Sequence, residues 1–175
     1  MKRKIYSEAT EKSKIIVNKC LEQGYDIGAA KADKLLILTH GIMLSKYQKP
    51  LFNQNVVAEK CGPIVREVER ELLLLEIEQD NNVFEFYNKL PQYICLLQRE
   101  EEVINEILKK YGNCDLVEIM NDKRLTVLKE LCYKDDSSNI IPNKLIEKVF
   151  DYYQFYDFDI VKQNEESFIK RIKNN

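Results

Sequence analysis

The sequence predicts a mainly α-helical fold, a single compact helical domain with one small β-hairpin. Most segments place apolar residues at helical spacing. Only five glycines and four prolines interrupt the 175 residues, too few for a turn-rich β fold. One stretch, residues 49–63, departs from the helical period. With 45% hydrophobic residues the chain can fill one ordinary core, so we expect one domain over residues 1–175.

Two helices are predicted in the first 47 residues. Thr10 is a suitable N-cap for a helix over residues 10–23, which ends at Gly24. A second helix follows "DIG" and runs through "AAKADKLLILTHGIMLSKY". Its broad apolar face, which includes Leu35, Leu38 and Ile42, predicts a central, buried helix.

The segment "KPLFNQNVVAEKCGP" predicts the hairpin. Leu51-Phe52 and Val56-Val57-Ala58 are short β-prone pieces, and residues 53–55 can turn between them. Pro63 fits the first turn of a third helix, since its missing N–H has no partner there. That helix has an apolar inner side made of Ile64, Val65, Val68, Leu72 and Leu75.

The second half of the chain is predicted to be mostly helical. Residues 83–87 alternate in a way that allows a loop with a short strand. Helical patterns follow at about 97–111, 114–121, 124–133 and 142–154, with an exposed connection at 134–139. The last segment, "EESFIKRIKNN", begins with acids and ends with bases, as the helix dipole favours.

Composition argues against several classes of function. The net charge of −2 gives no basic field, so nucleic-acid binding is possible but not favoured. No apolar run approaches the roughly 20 residues that span a bilayer, so we expect a cytoplasmic protein without a membrane partner. Five scattered cysteines and a single histidine offer no spacing for a zinc site, and we expect no metal and no cofactor.

Only one pair of residues suggests catalysis. Cys61 precedes the expected helix start, where a helix dipole lowers a thiol pKa, and His40 is the only imidazole available as a base. The signatures that surround cysteine nucleophiles are missing. The alternative interpretation is that Cys61 is a small buried hydrophobe beside a turn and that His40 is structural.

Two segments suggest contact with another protein. Leu72–Leu75 are contiguous and cannot all face one core, so some of them meet a second part of the domain or a partner. The charged residues just before them are otherwise typical of a solvated helix face. The stretch "DYYQFYDFDI" at residues 151–160 mixes aromatic rings with acids, as expected of a protein-binding surface or a core edge.

The segment "DIGAAKADKLLILTHGIMLSKYQKPLFNQNVVAEKCGPIVREVERE" resembles the Panacea domain family, which includes SocA-like antitoxins and phage-associated proteins. The residues at matching places are Lys31, Lys34, Leu35, Leu36, Pro50, Leu51, Phe52, Ala58, Gly62 and Pro63. Departures include Asp33 for the usual Gln and Cys61 where aromatic residues are common. A later family block with His and Trp is missing from "NDKRLTVLKEL". The resemblance covers residues 10–154, with 155–175 as an amphipathic C-terminal extension.

The resemblance implies a non-enzymatic protein that binds and neutralises a toxin, encoded by a prophage or mobile element. One kind of relative is similar to a proteolytic adaptor for a Clp-type protease. The candidate partner-binding or family-motif residues are Lys34, Leu35, Glu59, Gly62, Pro63, Arg66 and Glu69, to which the aromatic stretch at 151–160 adds Tyr153 and Phe155. The alternatives are a DNA-associated regulator and, less favoured, a cysteine-dependent enzyme that uses Cys61 and His40.

Overall fold

The computed structural model describes residues 6–78, 94–135, 139–155 and 158–174. These residues form eight helices and a three-stranded antiparallel sheet, which confirms the mainly α fold with a small β element. The helices are α1 (Glu8–Glu22), α2 (Ala29–Tyr47), α3 (Arg66–Glu78), α4 (Gln98–Tyr111), α5 (Leu116–Met120), α6 (Lys123–Cys132), α7 (Asn143–Phe155) and α8 (Phe158–Lys173). The strands are β1 (Val56–Glu59), β2 (Gly62–Ile64) and β3 (Ile140–Ile141).

Helix α2 forms the centre of the fold. It contacts α1, α3, α4, α5 and α7, and every side chain from Lys31 to Leu44 is buried. A helix that is apolar on nearly all sides is stable only when other elements surround it. It ends at Gln48, whose left-handed φ of 52° stops the helix. The predicted central helix is therefore confirmed.

Helix α1 begins earlier than predicted. Its N-cap is Ser7, whose hydroxyl oxygen accepts a hydrogen bond of 3.2 Å from the backbone N–H of Thr10. Thr10 itself lies in the first turn, where its hydroxyl pairs with that of Ser7 at 2.8 Å. Either hydroxyl is a good cap, and the chain uses the one three residues upstream. At the other end Gly24, with φ of +73°, follows the last turn as predicted.

The predicted hairpin is wrong in its pairing. Leu51 and Phe52 form no strand and lie buried directly after α2. The partner of β1 is β2, in a register that pairs Val57 with Ile64 and Glu59 with Gly62. Pro63 therefore lies in a strand and not in the first turn of α3, which begins at Arg66. Proline is compatible with this position because β2 is an edge strand, where one N–H can be missing.

The third strand has no counterpart in the sequence prediction. β3 pairs with the other edge of β1, Ile141 opposite Val56, so the sheet order is β2-β1-β3. Pro142 then directly precedes α7, close to the predicted helix start. The short strand predicted at 83–87 lies outside the described residues.

Helices α4, α5 and α6 match the predicted segments to within two residues at each end, whereas α8 begins at Phe158, before the predicted "EESFIKRIKNN". Helix α8 contacts α7 through the stacked rings of Tyr152 and Phe168, 3.8 Å apart at their centroids. Among the described helices, none has the length and apolarity that a bilayer crossing requires.

Candidate partner-binding site

Two consecutive residues of α2 hold the junction between β2 and α3. The Lys34 ammonium donates hydrogen bonds to the Pro63 carbonyl at 2.7 Å and to Asp33 Oδ2 at 3.1 Å. The other carboxylate oxygen of Asp33 accepts from the backbone N–H of Val65 at 3.0 Å. Both side chains are buried. We call Asp33 and Lys34 the clamp, because together they satisfy backbone groups on both sides of the junction.

The electrostatics of the clamp follow from its burial. Loss of solvent raises the pKa of Asp33 to about 6, although the Lys34 charge and the Val65 N–H favour the carboxylate and limit the rise. A buried ion pair of this kind contributes little net stability, but removing one partner leaves an uncompensated charge. The clamp thus fixes the geometry of the hairpin and of α3.

The motif residues around the clamp divide into buried and exposed groups. Leu35 is fully buried in the core, and Lys34 acts within the clamp. Gly62 has φ of +112°, a conformation that favours glycine, and it follows the turn residues Lys60 and Cys61. Glu59 accepts a hydrogen bond of 2.7 Å from Arg66, whose side chain is 63% exposed. Glu69 lies partly buried one turn further along α3.

The outer side of α3 carries apolar surface. Leu72 is fully buried, whereas Leu73 and Leu74 are each 43% exposed. The side chain of Leu75 lies outside the described part of the structure. Within the contiguous run, the first leucine thus faces the core and the next two face solvent.

A groove separates the hairpin from the corner between α5 and α6. Its volume is about 180 Å³, and its walls include residues 61–63 of the hairpin and residues 120–121 between the two helices. Leu125, Thr126 and Lys129 of α6 complete it, together with Lys34 of the clamp. The motif residues Lys34, Gly62 and Pro63 therefore meet a surface of α6 that the sequence did not connect with them.

The aromatic stretch at the end of α7 is used, in part, for internal packing. Tyr152 is buried against Phe168, and the Tyr153 hydroxyl donates to Glu165 of α8 at 2.9 Å. Burial and this hydrogen bond raise the pKa of Tyr153. The side chain of Phe155 lies outside the described part of the structure. Tyr153 also lines a cavity of about 490 Å³ next to α4 and α6.

That cavity contains a polar network. The Tyr111 hydroxyl donates to Asp122 at 2.5 Å, and Arg124 donates to Asp122 and to the Tyr111 oxygen, each at 2.8 Å. Burial alone would raise the pKa of Asp122, but its bonds to Arg124 and Tyr111 hold that pKa below its ordinary value. The network ties α4 to α6, and no pattern in the sequence connects these three residues.

The proposed pairing of Cys61 with His40 is not supported by the geometry. His40 is fully buried and stacks on Phe52, with 4.1 Å between ring centroids. Its Nδ1 accepts from the Leu51 N–H at 3.2 Å, so the proton is on Nε2, which donates to Asn143 Oδ1 at 3.0 Å. Burial lowers the His40 pKa to about 4. Both ring nitrogens are thus engaged with groups other than a thiol.

Cys61 differs from its expected state in another way. The interpretation as a buried packing residue is wrong, because Cys61 is exposed in the two-residue hairpin turn. The difference from the expectation arises because Gly62 and Pro63 form a strand and not a helix start, so Cys61 lies in the turn that precedes this strand. Among the described residues, no three His, Cys, Asp or Glu side chains are grouped closely enough to hold a metal ion.

Comparison with known proteins gives one match. A family model described as "Antitoxin SocA-like, Panacea domain" matches residues 33–124, just over half of the chain. The matched segment begins at the clamp and ends at Arg124 of α6, so it includes the hairpin, α3 and most of the groove. Neither the curated proteins nor the solved structures gave a significant match.

Proposed function

The chain belongs to the SocA-like antitoxin family with a Panacea domain, and from this membership we propose that it neutralises a toxin protein by binding it. The binding is stoichiometric and needs neither turnover nor a cofactor. The side-chain geometry is consistent with this proposal, because His40 is engaged in hydrogen bonds within the core and Cys61 lies in an exposed turn.

The exposed pair Leu73 and Leu74 is the reason that we propose α3 as the toxin-binding surface. These neighbouring leucines, each 43% exposed on one helix, offer apolar surface that a protein partner can cover. They lie on α3, whose start is held by the clamp through Val65. A helix positioned by buried hydrogen bonds can present such residues to a partner without further ordering, which favours binding.

Arg66 and Glu59 form an ion pair at the start of α3, about two turns before Leu73 and Leu74. Their ion pair is largely exposed at Arg66, so it contributes little to stability. Charged groups at the rim of an interface mainly affect specificity and the association rate. We therefore assign recognition to Glu59, Arg66 and Glu69 and structural support to Lys34, Leu35, Gly62 and Pro63.

The wider setting is part of the same proposal. We expect one domain with its core at residues 10–154, acting in the cytosol and encoded by a prophage or mobile element. Delivery of the bound toxin to a Clp-type protease would make the protein a proteolytic adaptor. In this setting Tyr153 and Phe155 form a second candidate contact region at the end of α7.

Co-expression tests the function directly. The reading frame next to the gene is expressed alone and together with the chain, and growth and co-purification are measured. We expect toxicity alone, recovery on co-expression, and a complex of fixed stoichiometry. A neighbouring product that is harmless alone, or recovery without a complex, would contradict the proposal.

Variants at α3 test the surface. Leu73→Asp and Leu74→Asp are each expected to weaken the complex and to restore toxicity. Leu97→Asp is the matched control, because Leu97 is a leucine that is 53% exposed, just before α4, and lies neither on α3 nor in the lining of the groove. Circular dichroism and urea unfolding verify that each variant is folded. Unchanged binding in both leucine variants would assign the contact to another surface.

A further inference from the structure

The groove beside the hairpin combines an apolar base with an unpaired cation. Leu125 is buried at 2% exposure, and Met120 and Pro63 add further apolar surface. Lys129 is partly buried on the wall, and its ammonium makes no ion pair or hydrogen bond with any described side chain. The side-chain amide of Asn121 likewise has no hydrogen-bond partner among the described residues. Two residues that line the groove, Asn121 and Lys129, therefore have polar side-chain groups without an acceptor among the described residues.

All charged side chains that line the groove are positive. Lys34 and Lys129 are its charged members, and none of the lining residues is acidic. The Lys34 ammonium is already used by Pro63 and Asp33, which leaves Lys129 for an external group. An ammonium next to a partly dehydrated apolar surface favours a carboxylate, because a charge-assisted hydrogen bond is stronger than a neutral one.

We propose that this groove binds an acid-bearing segment of the toxin, with a Glu or Asp carboxylate at Lys129 and Asn121 and an adjacent apolar side chain on Leu125 and Met120. The inference rests on the proposed function and adds the chemistry of the partner. The hairpin connects the two surfaces, since residues 61–63 line the groove while Glu59 contacts Arg66 on α3.

Size and lining favour a peptide over a nucleic acid. The groove, at about 180 Å³, is small enough that a peptide would place only one or two side chains in it. Single-stranded nucleic acids bind through aromatic platforms and several cations along the backbone. The groove lining has no aromatic ring and one available cation.

The position of Cys61 provides a direct measurement of occupancy. Cys61 lines the groove and is exposed, and Cys95 is exposed elsewhere on the molecule. Alkylation by iodoacetamide is followed at both thiols in one sample of the full chain by mass spectrometry. The probe is a capped five-residue peptide with a central Glu between leucines, compared with its Gln twin, inorganic phosphate and an oligothymidylate.

The expected result is selective protection. At a Kd of about 1 mM, the Glu peptide at about 5 mM slows alkylation of Cys61 about sixfold and leaves Cys95 unchanged. Neither the Gln twin nor phosphate nor the oligonucleotide protects Cys61. No protection, or equal protection by the Gln twin, overturns the carboxylate assignment. Protection by phosphate or by the oligonucleotide overturns it in favour of a general anion or nucleic-acid site.

Charge reversal locates the carboxylate. Lys129→Glu is expected to abolish the protection and Lys129→Arg to retain it. Lys109→Glu is the matched control, an exposed lysine on α4 that makes the same change in net charge. Cys20 is fully buried, so its alkylation reports any variant that has unfolded. Protection that persists in a folded Lys129→Glu variant overturns the proposal.

Co-expression of the toxin with the Lys129→Glu variant distinguishes failure of the groove assignment from failure of the proposed antitoxin function. If Lys129→Glu neutralises the toxin as well as the unchanged chain does, the groove assignment fails and the antitoxin function stands. If the Glu peptide protects Cys61 while no toxin is neutralised, the groove binds acidic segments and the antitoxin function fails.

Discussion

Asp33 and Val65 lie 32 positions apart in the chain and are joined by a hydrogen bond of 3.0 Å from the Val65 backbone N–H to the Asp33 carboxylate. This bond satisfies a backbone donor immediately before α3, where a helix start needs acceptors. The next residue, Lys34, satisfies the Pro63 carbonyl. One turn of α2 thus determines where β2 ends and where α3 begins.

Removal of the Asp33 carboxylate is expected to destabilise the fold strongly. Asp33→Ala leaves the Lys34 ammonium buried without a counter-ion, so we expect a loss of about 3–5 kcal/mol in the free energy of unfolding. Urea unfolding followed by circular dichroism measures the loss. Glu101→Ala is the control, because it breaks an exposed pair with Lys19 and should change stability by less than about 1 kcal/mol. Equal effects of the two changes would contradict a structural role for the clamp.

The pH dependence of stability gives a second test of Asp33. Its pKa is raised to about 6 in the folded chain by burial, above the ordinary value of 3.8. The folded state therefore binds this proton more tightly, and the resulting stability is present below about pH 4 and lost as pH rises through 6. Relative to the Asp33→Asn variant, the unchanged chain should lose up to about 3 kcal/mol between pH 4 and 7. A constant difference between the two chains would show that the carboxyl pKa is not raised.

His40 is expected to remain neutral in mildly acidic solution. Burial lowers its pKa to about 4, so its stabilising contribution is present above pH 6.5 and lost as pH falls towards 4. The chain has a single histidine, so nitrogen NMR reports it without ambiguity. We expect the proton on Nε2 and no titration down to about pH 5, whereas the urea-unfolded chain titrates near 6.5. Protonation near 6.5 in the folded chain would show that the imidazole reaches solvent.

Gly41 of α2 packs against the ring of Phe150 of α7. A Cβ at Gly41 would overlap the Phe150 ring, so Gly41→Ala is expected to destabilise the fold by about 3 kcal/mol through overpacking. Thermal unfolding measures the change, and adding Phe150→Leu should recover part of it. At Gly24 a Cβ meets open space, and only the positive φ opposes alanine, at a cost of about 1 kcal/mol. A Gly41→Ala variant as stable as Gly24→Ala would contradict the close packing.

Thiol reactivity distinguishes a binding protein from a cysteine enzyme. We expect Cys61 and Cys95 to be alkylated at similar rates, since both are exposed and Cys61 has no imidazole beside it. Cys20 should react slowly, because burial shields it and raises its pKa to about 11. Mass spectrometry over a time course at pH 7 gives the three rates. Labelling of Cys61 much faster than that of Cys95 would support an activated nucleophile.

The sequence predicted those parts of the fold whose structure depends on a residue pattern within one segment. The 19 residues of α2 show a broad apolar surface, so their helix and its central place could be inferred locally. The strands of the hairpin could not be inferred locally, because Leu51 and Phe52 are β-prone residues that are buried without forming a strand. Pro63 suits both a helix start and an edge strand. In the fold Pro63 lies in the edge strand, where its carbonyl accepts a hydrogen bond from the distant Lys34, a contact that no local pattern reveals.

The candidate site was predictable only in part, for the same reason. The resemblance pointed to Lys34, Gly62 and Pro63, all of which line the groove. Asp33 is distinguished in the sequence only by its departure from the family pattern, and its role depends on a backbone N–H that is distant in sequence. Lys129 carried no signal at all, since an ordinary lysine on a helix becomes distinctive only when its neighbours are known.

The order of the strands has a consequence for biosynthesis. Residues of β1 and β2 emerge from the ribosome well before those of β3. During translation, the edge of β1 that later pairs with β3 therefore has unpaired backbone groups. Such an edge readily pairs with strands of other molecules. A product that stops short of Ile140 keeps that open edge permanently. Only a polypeptide translated beyond Ile141 can pair both edges of β1. Shorter products are therefore expected to aggregate more readily than the full chain.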